Sequence, residues 1–231
     1  MTEQVTTNES QEKELTLMGK IGGVLLEPAK TFEQLAKSPV KAMDWFLPVL
    51  ILIIISVISQ VIYFSNPVIK EQMIQMEISI SEEIFDSMVA NGQMTREIAE
   101  EQINNAYEKA QNAGIGGKAV GPIFSILISF FIIASVYFLI ARFVLGDKGS
   151  YSSALAAFGL PYYIAGVQMI VLLIISLITS RVIIGTSITA LLDHDIHTWQ
   201  GFLMGRLNIF SIWFYAVVSI GFAKMFKSNN T

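Results

Sequence analysis

The chain contains no cysteine. That excludes disulfides, thiolate metal sites, cysteine nucleophiles, palmitoylation and lipoprotein acylation. Charge is scarce as well: 15% of the 231 residues are charged, against about 25% in an ordinary soluble domain. The net charge of −4 excludes a basic nucleic-acid binder, so no nucleic-acid partner is expected. No HExxH, G-x-S-x-G or Walker glycine loop occurs, and no acid/base set converges in the sequence. The expectation is a non-enzymatic protein without a cofactor. The first 40 residues hold no long apolar core and no small-residue cleavage site. No secretory signal peptide is therefore read, and the first hydrophobic run is expected to stay as an anchor.

What is present is apolar. The hydrophobic fraction is 53% and the mean hydropathy +0.56. A helix needs about 20 mostly apolar residues to cross roughly 30 Å of hydrocarbon. Between Asp44 and Lys70 lie 25 uncharged residues, between Lys118 and Arg142 lie 23, and between Arg206 and Lys224 lie 17. The 32 between Lys148 and Arg181 are too many for one simple span. Pro161 divides them into a half-helix, 152–160, and a span, 161–180, because proline is tolerated at a first helical turn. In this reading 152–160 lies near the membrane interface, and Tyr162 and Tyr163 sit at headgroup depth with wet hydroxyls.

These runs predict an all-α, multi-pass transmembrane helical bundle of about four spans. Residues 1–14 form a disordered tail. Residues 15–43 form an amphipathic, interfacial cytoplasmic segment, in which the pair Gly22-Gly23 interrupts an otherwise helical pattern. The first span is 44–65. Residues 66–118 form an extracytoplasmic helical hairpin broken at Asn91-Gly92, with Thr95 capping the second helix. Its expected apolar residues are Met73, Ile84, Met88 and Val89 on one helix and Ile98, Ile103, Ala106 and Tyr107 on the other. Mutual packing and a docking surface are both open readings. The segment Gly114–Gly121 is read as a flexible lead. The membrane bundle covers 119–226, with spans at about 120–142, 161–180 and 205–225, short helices at 152–160 and 182–192 (the latter interfacial or re-entrant), and a tail at 227–231. Nine Lys/Arg on the terminal side against six on the hairpin side place both termini in the cytoplasm.

The only histidines lie in Asp193-His194-Asp195-Ile196-His197. Two imidazoles and two carboxylates suit a divalent metal, but the spacing is unspecific, and a polar connector without metal is expected. The spans carry Gln60, Gln168 and Asn208. Amides at membrane depth typically hydrogen-bond between helices, contributing about 0.6 kcal/mol, or line a polar pathway. No charged residue stands near the middle of a span, which disfavours a coupled transporter. Gly201-x-x-x-Gly205 and Ser125-x-x-x-Ser129 permit close helix contact; for the former, helix entry and an oligomer contact are equally open.

Ahead of the first span stand Pro28-Ala29-Lys30-Thr31-Phe32, then Pro39, Trp45 and Pro48. Further on come Tyr151-x-x-Ala154-Leu155 and Leu160-Pro161, then Leu207-Asn208-Ile209-Phe210-Ser211-Ile212-Trp213 and Gly221. In order and spacing this resembles bacterial Yip-domain proteins, relatives of the eukaryotic Ypt-interacting, Rab-associated Golgi membrane proteins. The resemblance runs over about 19–226 outside the hairpin. Family members usually carry five spans; the four counted here leave out the last. The resemblance implies a protein of the bacterial inner membrane that acts by interaction, with lipid and with a membrane-protein partner or further copies of itself. In eukaryotic relatives it implies Rab-type GTPase binding and a role in vesicle traffic. The motif residues have structural rather than chemical roles. Pro28 and Pro39 break the surface helix, Trp45 belongs at headgroup level, and Trp213 packs against a neighbour. A small transporter or permeation-pathway component is the alternative reading.

Overall fold

A computed structural model describes residues 15–144, 146, 149–183 and 208–226. The tails at 1–14 and 227–231, the segment 184–192, Gly201, Gly205 and the cluster Asp193, His194, Asp195 and His197 lie outside the described residues. Within them the chain is helical, with no strand, and four helical stretches are long and apolar enough to cross a membrane.

Helix α1 (Leu17–Leu26) starts at Thr16, whose side chain accepts from Gly19 N–H. Helix α2 (Pro28–Ala36) begins on Pro28, where a missing N–H costs nothing. The predicted interfacial segment is thus two short helices, with Pro39 exposed in the link that follows. They dock on the bundle through Val24 and Phe32, which are fully buried. Helix α3 (Ala42–Ser65) is the first span, and Pro48 is buried inside it.

Helix α4 (Pro67–Ala90) is capped by Asn66, which accepts from the amides of Val68 and Ile69. A turn with Gly92 at φ 69 follows, the left-handed region that glycine enters without strain. Helix α5 (Arg96–Asn112) starts at Thr95, whose hydroxyl accepts from Ile98 N–H. The hairpin is as expected, but its buried stripe differs: Ile74 and Ile78 of α4 meet Ile103, Ala106, Tyr107 and Ala110 of α5, while Ile84 and Ile98 are exposed. Helix α4 carries apolar residues on two stripes, and only tertiary contact selects one.

Helix α6 (Ile115–Leu139) corrects the expectation of a flexible glycine lead: Gly114 is its N-cap, and Ile115–Gly121 is its first part. Each glycine weakens a helix by about 1 kcal/mol. Lys118 compensates by anchoring the turn, pairing with Glu77 and standing over the Phe64 ring. The helix ends in a π turn, Ile140–Val144.

Helix α7 (Tyr151–Gly159) and helix α8 (Tyr162–Thr179) are separated at Pro161, the position expected from the sequence. Tyr163 N–H and Ile164 N–H turn back to the carbonyls of Leu160 and Pro161, a tighter turn than an α-helix makes. The surroundings differ from expectation. Residues 154–160 are all buried, and so are Tyr162 and Tyr163. Helix α7 is the centre of the bundle, packed on α3, on α6 and on the last helix, α9 (Ile209–Phe226). A half-helix of Ala, Gly and Phe is short and thin enough to be surrounded, which its uncharged sequence does not by itself reveal.

Candidate functional site

Two places gather the residues singled out from sequence. The first is a packed junction of α1, α2, α7 and α9. Thr31 is buried, its hydroxyl donating 3.0 Å to Glu27 O, and its side chain fills the space where a Cβ on Gly23 would stand. Gly23 is therefore a contact glycine rather than a flaw in α1. Phe32 reaches α9 at Gly221, where an added Cβ would lie 2.9 Å from the ring and 3.1 Å from Ala157 O. Val24, Phe32, Leu35, Ala157, Val217 and Phe226 belong to one apolar core, with Phe210 and Trp213 packed at its edge. The Phe210 and Trp213 rings are 6.3 Å apart.

Two ion pairs lie at the edges of this junction, one joining α1 to α3 and the other α2 to α9. Lys20 of α1 pairs with Asp44, which is 4% exposed and also accepts from Lys41 N–H at 2.8 Å. In the sequence Asp44 marks only a span boundary; the further signal is a lone acid in the first turn of an apolar helix, where the helix N-terminus favours negative charge. At the other end Lys224 pairs with Glu33 at 3.0 Å. That cation holds the Glu33 carboxyl below the usual glutamate range.

Trp45 is not free at a headgroup surface. It stacks on Phe130 at 5.8 Å, and its Cβ lies 2.8 Å from where a Gly159 Cβ would stand. From there aromatic rings continue through the bundle: Phe130 to Phe158 at 5.7 Å, Phe158 to Tyr162 at 5.5 Å, and Tyr162 to Phe214 at 5.7 Å. Such pairs contribute about 0.5–1.5 kcal/mol each beyond area burial.

The second place is a groove of ≈ 350 Å³ beside this aromatic row. Its floor is Phe158, Tyr162, Ala165 and Gln168. One wall is α6 with Ser125 and Ser129, and the other is α9 with Ser211, Phe214 and Tyr215. Gln168 and both serines of the small-residue pattern thus converge. Among the described residues the serines line an open groove rather than a close helix contact. Among the described residues the groove offers amide, phenol and hydroxyl groups and no side chain that is charged at neutral pH.

The other two amides lie elsewhere. Asn208 is no mid-span amide: it is the N-cap of α9, accepting from Phe210 N–H at 2.9 Å, because the helix starts at Ile209. Gln60 is on α3 with a buried Oε1 that has no partner among the described residues, as is the neighbouring Ser59 Oγ. Farther along the same interface Tyr63 OH meets Ser176 Oγ at 3.5 Å.

No curated protein and no solved structure matches the chain significantly. The family model of the Yip1 domain matches residues 22–231, which takes in Gly23, Thr31 and Phe32, the Pro161 break, the groove and Gly221. The glycine-tight junction and the uncharged groove are thus features of a membrane protein, and the chain belongs to the Yip1 domain family.

Proposed function

We propose that this protein is a non-enzymatic, multi-pass membrane protein that works by interaction with other membrane proteins or with lipid, in membrane organisation or a trafficking-like role. The observation that carries the reading is the lining of the groove. Among the described residues it offers serine, glutamine and tyrosine side chains, the groups that hydrogen-bond helix to helix in a bilayer. In keeping with that reading, the motif residues are spent on packing. The protein resides in the bacterial inner membrane with both termini cytoplasmic, an orientation supported by the lysine excess at the termini.

A second reading, a small permeation-pathway component, draws support from Gln168 in the groove and from the unpartnered Gln60 Oε1. Purification from mild detergent separates the two. A reproducible stoichiometric partner supports interaction; solute flux in proteoliposomes holding only this protein supports permeation. Because the chain has no cysteine, single cysteines report orientation cleanly. One introduced at position 229 is expected to label only from the cytoplasm, and one at position 90 only from outside.

A further inference from the structure

Exposed apolar residues on a membrane span face lipid and need no partner. On the hairpin outside the spans they face water. Helix α4 carries Met73, Met76, Ile80 and Ile84 at offsets of three, four and four, which places them on one stripe. Helix α5 covers a different stripe, that of Ile74 and Ile78. Ile80 and Ile84 are each left 55% exposed, and Met73 and Met76 continue the stripe half-buried.

Charge selects what can cover it. The hairpin, 66–118, holds nine acids against four bases. Arg96 is engaged by Asp86 and Glu100, and Lys118 by Glu77. Glu82, Glu83, Glu97, Glu101 and Glu108 form no ion pair among the described residues. Glu83, three residues from Ile80, borders the stripe.

We propose that this face of α4 docks a cationic amphipathic helix of a partner protein on the same side of the membrane. Its apolar face lies on Ile80 and Ile84, and its Lys or Arg residues meet Glu83 and the acids around it. The half-buried methionines adapt to the incoming side chains, as flexible thioethers do at binding surfaces. A second copy of the hairpin would set acid against acid, and an anionic lipid surface would do the same. The proposal rests on the interaction reading above and names the partner's chemistry.

The test uses the full chain in nanodiscs of zwitterionic phosphatidylcholine. Two fluorescent probes are titrated, one a synthetic amphipathic helix of Leu and Lys, the other its Leu and Glu counterpart. The Lys probe is expected to bind saturably above empty discs. Ile80→Glu with Ile84→Glu is expected to weaken it about tenfold, near the loss of 1.4 kcal/mol that one decade represents. Glu82→Lys with Glu83→Lys, which leaves the apolar stripe intact, is expected to weaken the Lys probe and admit the Glu probe. Equal binding of both probes to the wild type overturns the proposal. So does Lys-probe binding unchanged in both variants, and so does a dimer by mass photometry that Ile80→Glu with Ile84→Glu dissolves. The two levels fail separately. A stoichiometric partner from native membranes that survives Ile80→Glu with Ile84→Glu removes this surface and leaves the interaction reading standing. Absence of any partner together with solute flux removes the reading itself.

Discussion

On one side of α7, where α2 and α9 close over it, backbones approach until a single added carbon has no place. On the other side, between α6 and α9, the same bundle leaves a groove of ≈ 350 Å³ with Ser125, Ser129 and Gln168 along it. Helices α7 and α9 take part in both regions. The difference lies in where glycine and where small polar residues fall. Gly23, Gly159 and Gly221 each stand where another element's side chain or backbone already occupies the Cβ position. Ser125 and Ser129 of α6 line the open groove instead. Gly23, Gly159 and Gly221 mark contact between helices, and Ser125 and Ser129 mark surface held open.

The comparison is broken most severely by emptying the junction. Phe32 is fully buried between α2, α7 and α9, so Phe32→Ala leaves a cavity and is expected to cost about 3–5 kcal/mol. Thermal unfolding of the purified protein in detergent should show a larger fall for this variant than for any glycine, glutamine or glutamate substitution below. A loss as small as that of a surface residue would mean that the α2–α9 contact does not hold the bundle.

Gly221→Ala is expected to cost somewhat less, about 1–3 kcal/mol, because its methyl must displace the Phe32 ring or the Ala157 carbonyl. The control is Gly22→Ala in α1, where a Cβ meets nothing within 4 Å. Alanine there should stabilise by up to about 1 kcal/mol through helix propensity alone. Opposite signs at Gly22 and Gly221, measured by the same melts, confirm that contact rather than flexibility fixes the second position.

Much of this architecture is legible in the sequence. Charge-free runs locate the spans because the bilayer tolerates few charges, and Pro161 suggests the break because proline removes an interior helix hydrogen bond, although Pro48 and Pro122 stand inside unbroken helices. The motif Pro28 to Phe32 is visible as a pattern, but its purpose is not. Pro28 starts a helix rather than merely ending one, and Phe32 finds Gly221 across nearly the whole chain, a pairing no local period encodes. Asn208 looks like a span amide because it sits in an uncharged run; its role as a cap follows from where the helix begins. The stacking of Trp45 on Phe130 and the burial of Tyr162 and Tyr163 are not legible in a preference for interfaces, because they depend on neighbours from other helices. The groove is half legible: Gln168, Ser125 and Ser129 each stand out, but their convergence depends on the rotation of α6 and α8, which hydropathy does not set.

The groove side should tolerate change. Gln168→Leu removes an amide that lines open space, and the expected effect on stability is within about 0.6 kcal/mol, the average worth of a polar contact between membrane helices. The same variant sharpens the functional contrast. If Gln168 serves a partner, co-purification falls while the melt is unchanged; if it serves the fold, the melt moves and the groove is a structural polar contact instead.

The smallest effect belongs to the ion pair at the edge of the junction. Glu33 is exposed, and its carboxyl is held below the ordinary glutamate range chiefly by the hydrogen bond from Lys224 and by that residue's charge, with a lesser contribution from Lys37. A carboxyl whose folded pKa is depressed adds stability that is fully present above its unfolded pKa, about 4.3. That stability is lost as pH falls through the lower folded value. The wild type should therefore melt slightly above Glu33→Gln at neutral pH and low salt, and the gap should close as the solution is acidified below about pH 4. Because the pair is solvent-exposed, salt near 1 M, where the screening length is about 3 Å, should close most of it at neutral pH. A gap that persists in acid and in salt would assign Glu33 a packing role through its methylene stem, and the clamp of α2 on α9 would then rest on Phe32 and Gly221 without electrostatic help.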